Sequence, residues 1–122
     1  MNLTALLFVA AGGALGSVAR ALVGWAIPAG RLPWATILIN ISGSFLIGWL
    51  FSRLGPLNET GLRSQAFWMV GICGGFTTFS AFSLQTVEQL QKGDWPAAAG
   101  NVLLSVGLCL LATWLGLRLG RA

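Results

Sequence analysis

The residues best suited to chemistry in this chain lie in one uncharged run, Gly71-Ile-Cys-Gly-Gly-Phe-Thr-Thr-Phe-Ser-Ala-Phe-Ser83. Adjacent Gly74 and Gly75, followed by Thr77 and Thr78, propagate a helix poorly, so an interruption is expected here. An unwound turn inside a membrane frees backbone carbonyls, which suit a hard cation such as Na⁺. A glycine-softened but continuous helix is the competing reading. Beyond the turn, Phe79 and Phe82 are three apart and share a helix face, interleaved with Ser80 and Ser83. An aromatic ring has a positive edge, so inward-turned edges beside hydroxyl donors can line an anion path. Lipid contact or core packing is the ordinary reading of two such phenylalanines.

Other polar groups are placed to join that path. Asn40 stands inside an apolar stretch, where its amide is costly unless paired, and its NH₂ can donate to an anion. Asn101, Ser105 and Cys109 are spaced by four and form one weakly polar helical stripe. Hydrogen bonding between helices is the alternative for each. Arg20 is the only charge well inside a span, where it either anchors the helix at the interface or sets a positive potential at a pore mouth. Glu59, Glu88 and Asp94 all fall in or beside loops, so the chain lacks the membrane carboxylate that a proton-coupled cation exporter needs. With no histidine in the sequence, imidazole catalysis and histidine-ligated metal sites are excluded. Cys73 and Cys109 match no metal spacing and read as small buried apolar residues, without a disulfide.

The elements that must position these groups follow from charge. Only 8% of the 122 residues are charged and 56% are hydrophobic, whereas a soluble domain carries about a quarter charged residues. The charges leave 1–19, 21–30, 32–52, 64–87 and 95–117 bare. A spanning helix needs about 20 mainly apolar residues, so four transmembrane helices are expected, at approximately 4–27, 34–52, 64–90 and 96–118. They make residues 1–122 a single transmembrane domain with no room for a soluble one. The N-terminus lacks the positive n-region of a signal peptide, so residues 1–19 read as the start of helix 1. Trp25, Trp34, Trp49, Trp68, Trp95 and Trp114 fall near the expected helix ends, at headgroup level. The net charge of +4 is scattered over helix ends, which argues against nucleic acid as a partner.

Four spans place both termini and the helix 2–3 link on one side, with Arg53, Arg63, Arg118 and Arg121 facing Arg31 and Lys92 across the bilayer. Arg20 reduces that bias further by snorkelling. So small a bias orients the chain weakly, and two oppositely oriented copies would form a dimer with its axis in the membrane plane. Small residues recur four apart at Gly12 and Gly16, Ser44 and Gly48, Gly71 and Gly75, and Gly116 and Gly120. Ordinary helix packing accounts for each pair alone; four pairs favour a compact oligomer.

Three stretches resemble the signatures of the Fluc (CrcB) fluoride channels: Gly12-Gly-Ala-Leu-Gly-Ser-Val-Ala-Arg20, Asn40-Ile-Ser-Gly-Ser-Phe-Leu-Ile-Gly48 and Gly74-Gly-Phe-Thr-Thr-Phe-Ser-Ala-Phe-Ser83. The likeness covers essentially the whole chain. It implies an all-α membrane protein of four transmembrane helices, with helix 3 broken at the midplane, assembled in the lipid bilayer as an antiparallel, dual-topology homodimer. The activity implied is passive export of fluoride ion, at the plasma membrane of a prokaryote, the inner membrane if Gram-negative. A structural Na⁺ at the dimer centre would be bound by the backbone carbonyls of Gly74 and Thr77 of both copies. Phe79 and Phe82 would be the pore phenylalanines and Asn40 the pore amide, with Thr78, Ser80 and Ser83 beside them and Arg20 in the vestibule. The sequence departs from the family pattern at Ala81, where a hydroxyl is usual, and at Gln85, where a glutamate is common. A small multidrug-type transporter and a non-transporting membrane subunit are the rival readings. The missing carboxylate disfavours the first and the polar residues inside three helices the second.

Overall fold

The computed structural model describes residues 1–122 and is entirely helical. Helix α1 runs Leu3–Ala26, α2 Trp34–Leu54 and α3 Leu62–Gln65. A π-helix, Ala66–Cys73, leads into α4, Gly74–Phe76; α5 follows at Phe79–Gln91 and α6 at Trp95–Gly120. Four stretches are long and apolar enough to cross a membrane: α1, α2, the composite Leu62–Gln91 and α6. Each lies within a few residues of its expected position, and the polar link between the second and third spans is shorter than expected, because α2 runs on to Leu54 and the third span starts at Leu62.

The ends follow local chemistry. Asn2 caps α1 by accepting the Ala5 N–H at 2.8 Å, which satisfies one orphan donor of the first turn. Gly55 closes α2 with φ +75° and Gly93 turns α5 into α6 with φ +76°, a region only glycine enters freely. Asp94 caps α6, with Pro96 in its first turn.

One connection was not legible in the sequence. Gln65, fully buried, donates from Nε2 to the carbonyls of Leu54 at 2.9 Å and Pro56 at 2.8 Å, while its Oε1 accepts the Asn58 N–H at 3.1 Å. A side chain of the third span thus seals the open end of α2.

The interior is built mainly from small and polar residues, and the exterior from large apolar ones. Gly12, Gly16, Ala97, Ala98, Thr36 and Asn101 are buried, with Ile37, Ile39 and Leu50 the large aliphatics among them, while Trp25, Leu103 and Leu110 are 87%, 73% and 67% exposed. That inversion suits lipid, where close backbone packing rather than water exclusion joins helices. The small-residue pairs are consumed within the chain. Gly12 and Gly16 seat α1 on the π-helix and α4, where a Cβ on Gly12 would overlap the Phe67 carbonyl and stand 3.0 Å from the Gly71 Cα. Gly48, Gly116 and Gly120 join α2 to α6, where a Cβ on Gly116 would stand 2.9 Å from the Trp49 nitrogen. Ser52 Oγ donates to the Leu117 carbonyl at 2.7 Å and Thr113 Oγ1 to the Ser44 carbonyl at 3.1 Å across the same seam. The spacing read above as favouring an oligomer is therefore used for intrachain packing.

The tryptophans do lie toward helix ends, and two hold arginines. The guanidinium of Arg53 lies 5.5 Å from the Trp49 ring centre and that of Arg118 lies 5.3 Å from Trp114, an arrangement in which charge meets the ring's negative face.

Candidate functional site

The site is organised by the backbone between α4 and α5. Thr77 (φ −80°, ψ 157°) and Thr78 (φ −149°, ψ 118°) are extended, so the helical ladder does not run through them. In a continuous helix the Thr78 N–H would donate to the Gly74 carbonyl; here it donates to Asn40 Oδ1 at 2.8 Å. The Ala81 N–H, due to the Thr77 carbonyl, instead reaches Thr78 Oγ1 at 3.1 Å. Asn40 also donates from Nδ2 to the Thr78 carbonyl at 2.9 Å. One side-chain amide thus stands in for both missing backbone partners of Thr78, the pairing a buried polar backbone demands.

The same detours leave the Gly74 and Thr77 carbonyls without their helical donors. The Gly75 carbonyl between them accepts from Arg20 Nε at 3.0 Å, so the one charge deep in α1 is tied to the interruption. Gly71 and Gly75 have no room for a side chain, a Cβ on Gly75 standing 2.6 Å from the Gly13 carbonyl, whereas Gly74 has nothing within 4 Å and is exposed.

Two cavities meet at Thr78, which lines both. One, of about 590 Å³, is bounded by Asn40, Gly74, Thr77, Phe79, Phe82 and Ser105 together with Cys109 and apolar neighbours. The Phe79 and Phe82 ring centres are 5.5 Å apart with planes at 51°, and Phe79 is 76% exposed. The other, of about 510 Å³, is more polar and carries Arg20, Arg31, Lys92 and Glu88. Ala81 and Gln85 both line it, and Gln85 Oε1 is buried there without a partner.

Most of the expected site residues are brought together here. Asn40, Gly74, Thr77, Thr78, Phe79, Phe82, Ser105 and Cys109 share the first cavity, and Arg20 lines the second. Ser80 is exposed and lies 3.3 Å, hydroxyl to hydroxyl, from Thr78. Ser83 and Asn101 line neither cavity. Asn101 is fully buried, accepts from Ser105 Oγ at 3.1 Å and donates to Thr86 Oγ1 at 2.9 Å. The polar stripe of the last span therefore divides: Cys109 faces the cavity, Ser105 touches it while its hydroxyl donates inward, and Asn101 is spent on α5. Thr86 was missed, because an isolated threonine on a mixed helix face carries no signal until its partner on another helix is known.

At the mouth of the second cavity Arg31 grips Asp94 with two bonds, Nε to Oδ2 at 2.9 Å and Nη2 to Oδ1 at 2.8 Å. Hydrogen bonding to Arg31 holds the Asp94 carboxyl below its usual range, and the same pair raises Arg31. A depressed carboxyl contributes stability above its unfolded pKa and loses it as pH falls through the folded value. Asp94→Asn, which keeps a capping oxygen, should lower the melting temperature slightly at neutral pH, since exposed pairs contribute little. Melting curves against pH should show that gap closing in acid, below the ordinary aspartate value of about 3.9.

Four apolar spans, one of them interrupted and met at the interruption by polar groups from the other three, define a multi-pass membrane protein of the channel and transporter class. The sequence model of the family described as "CrcB-like protein, Camphor Resistance (CrcB)" matches residues 7–117. The chain is 48% identical over 115 residues to "Fluoride-specific ion channel FluC" of Methylocella silvestris, covering 90% of this chain and 88% of that protein. It is 51% identical over 114 residues to the protein of the same description from Paramagnetospirillum magneticum, covering 88% of each, and 50% identical over 116 residues to that of Rhodospirillum rubrum, covering 90% and 89%. The chain belongs to the CrcB family.

Proposed function

We propose that this protein is a fluoride-selective channel, not an enzyme, that passively exports F⁻ from the cytoplasm across a prokaryotic plasma membrane, the inner membrane of a Gram-negative cell. The observation that carries this reading is the interruption at Thr77 and Thr78, whose backbone is paired by Asn40 beside a cavity walled by Phe79 and Phe82. The relatives described as fluoride-specific ion channels support the same anion. Fluoride is small and strongly hydrated, so a dry path must replace its water with donors. Ring edges, hydroxyls and the remaining N–H of Asn40 are such donors, and none carries a charge that would hold the ion fast. A negative interior drives an anion outward by about 2.3 kcal/mol per 100 mV, so no fuel is needed.

The working unit in this reading is an antiparallel, dual-topology homodimer whose two copies meet where helix 3 breaks near the bilayer midplane. Exposed Gly74, with nothing around it in its own chain, suits close approach of a second copy. The Gly74 and Thr77 carbonyls, released from helical donors, are neutral hard oxygens and fit Na⁺. Two from each copy would hold the ion, which supplies a fixed positive charge that ties the two interruptions together. Arg20 and the second cavity form the vestibule.

The test is fluoride efflux from proteoliposomes, read with a fluoride electrode in Na⁺ medium. Wild-type protein should empty the vesicles of F⁻, and failure to do so sinks the channel reading. Phe79→Ile removes the ring edge while leaving an apolar side chain on a largely exposed position. It should cut flux at least about tenfold, the scale of one lost aromatic contact of roughly 1.4 kcal/mol, with an unchanged size-exclusion profile. Cysteine labelling from both sides of the membrane should find each terminus on either side; a single orientation would remove the antiparallel dimer.

A further inference from the structure

Helix α5 carries both cavity phenylalanines, yet no residue of α5 is buried, unlike α1, α2 and α6. Its residues are half-buried or exposed within the chain, so apolar packing holds the rotation of α5 about its axis loosely. Polar ties add to it. Its start is fixed by Asn40 on Thr78, and its end by an exposed bond of 3.2 Å from Gln89 Nε2 to the Arg31 carbonyl. Between them runs a directional chain: Ser105 Oγ donates to Asn101 Oδ1 at 3.1 Å, Asn101 Nδ2 to Thr86 Oγ1 at 2.9 Å, and Thr86 Oγ1 to the Phe82 carbonyl at 2.7 Å.

Each link in this chain uses its donor once and points the same way, so the bonds polarise one another. Asn101 is 0% exposed and both ends of its amide are committed. Neither Asn101 nor Thr86 lines the cavity, whereas Phe82 and Ser105, at the two ends of the chain, both do. The network lies behind the cavity wall and grips it at two points.

We propose that Asn101, acting through Thr86, is a positioning residue that sets the rotation of α5 and thereby the placement of Phe82. This inference rests on the fluoride-channel reading for its functional consequence. Asn101 touches no ion in it. Loss of the bond would let α5 turn about its Thr78 end, moving the Phe82 ring out of the path while leaving the α2–α6 seam intact.

Thr86→Val keeps the side-chain shape and removes the hydroxyl, Thr86→Ser restores it, and Asn101→Leu removes the other partner. Each variant is reconstituted in proteoliposomes for fluoride flux and in lipid nanodiscs for amide hydrogen exchange. Thr86→Val and Asn101→Leu should each lower flux about tenfold, in keeping with one lost buried hydrogen bond, and Thr86→Ser should stay within about twofold of wild type. Exchange should quicken over Phe79–Gln91 and not over α2, a local signature that a general loss of stability would not give. The double variant should be no worse than the poorer single one, because the two residues act through one bond. Wild-type flux that persists in Thr86→Val with unchanged α5 exchange overturns the inference alone. Absence of flux from wild type overturns the channel reading and with it the role given to Phe82.

Discussion

Asn40→Leu should leave proteoliposomes essentially unable to release fluoride, a loss of about 100-fold or more, and should also lower the melting temperature. The two effects belong together because Asn40 is the partner of both the Thr78 N–H and the Thr78 carbonyl. An unpaired buried polar group costs roughly 1–3 kcal/mol, and leucine leaves two of them at one residue. The backbone can recover its ladder only by becoming helical through Thr77 and Thr78, which would return donors to the Gly74 and Thr77 carbonyls and rotate α5 against α4. Either outcome spoils the site. If Asn40 acted only by donating to the ion, flux would fall while melting temperature and amide exchange at Thr78 stayed at wild-type values. That result would refute the clamp.

The second large effect lies away from the site, at the seam between α1 and the π-helix. Gly12→Val should abolish recovery of folded protein. A Cβ there overlaps the Phe67 carbonyl and stands 3.0 Å from the Gly71 Cα and the Ile72 nitrogen, so the obstacle is backbone, which cannot rotate out of the way. Overpacking by a methylene or two costs about 1–3 kcal/mol in a core that yields, and this seam has two helices locked together by four glycines. The neighbouring residue is the control. Gly13 has nothing within 4 Å of a built Cβ, so Gly13→Ala should be neutral or should gain up to about 1 kcal/mol from helix propensity. Monodisperse yield on size exclusion and the melting temperature measure both. A well-folded Gly12→Val variant would show that the seam is looser than its geometry.

How far the sequence carried the fold depended on the range of the interaction concerned. The four spans were legible because bare stretches between charges report burial in lipid directly, without reference to any other part of the chain. The helix starts at Trp34 and near Asp94 and Pro96 were legible for a similar reason, since turn and cap chemistry acts over a few residues. The π-helix was not. An apolar run such as Ala66–Cys73 suits either hydrogen-bonding pattern, and nothing in its residue types marks the one it adopts against Gly12 and Gly16 of α1. Gln65 fell at the start of the third expected span with no role assigned to it and proved to seal α2, because its partners are carbonyls, which every residue carries and no sequence pattern marks.

The candidate site divides in the same way. Residue types alone made the Gly74 to Ser83 stretch stand out, and with it Asn40 and Arg20, because polar groups inside apolar spans are expensive and therefore few. What each does was decided by tertiary structure. Asn40, expected to offer its amide to an anion, also holds the Thr78 backbone; Arg20, expected at a vestibule, also anchors the Gly75 carbonyl. Asn101 bonds Thr86 on α5 as well as Ser105 of its own stripe, and the glycine pairs that suggested an oligomer closed seams within one chain.

By itself, the sequence determined that the protein spans a membrane, how many times, and which few polar residues must find partners there. Those properties depend on each segment's own transfer energy between water and lipid, a sum over local composition. The tertiary structure decided which partners those residues found: a carbonyl 38 positions away for Asn40, one 55 positions away for Arg20 and a hydroxyl 15 positions away for Asn101. A hydrogen bond is satisfied by any suitably placed group, so its donor can be read from the sequence, but its acceptor is known only once the helices are packed.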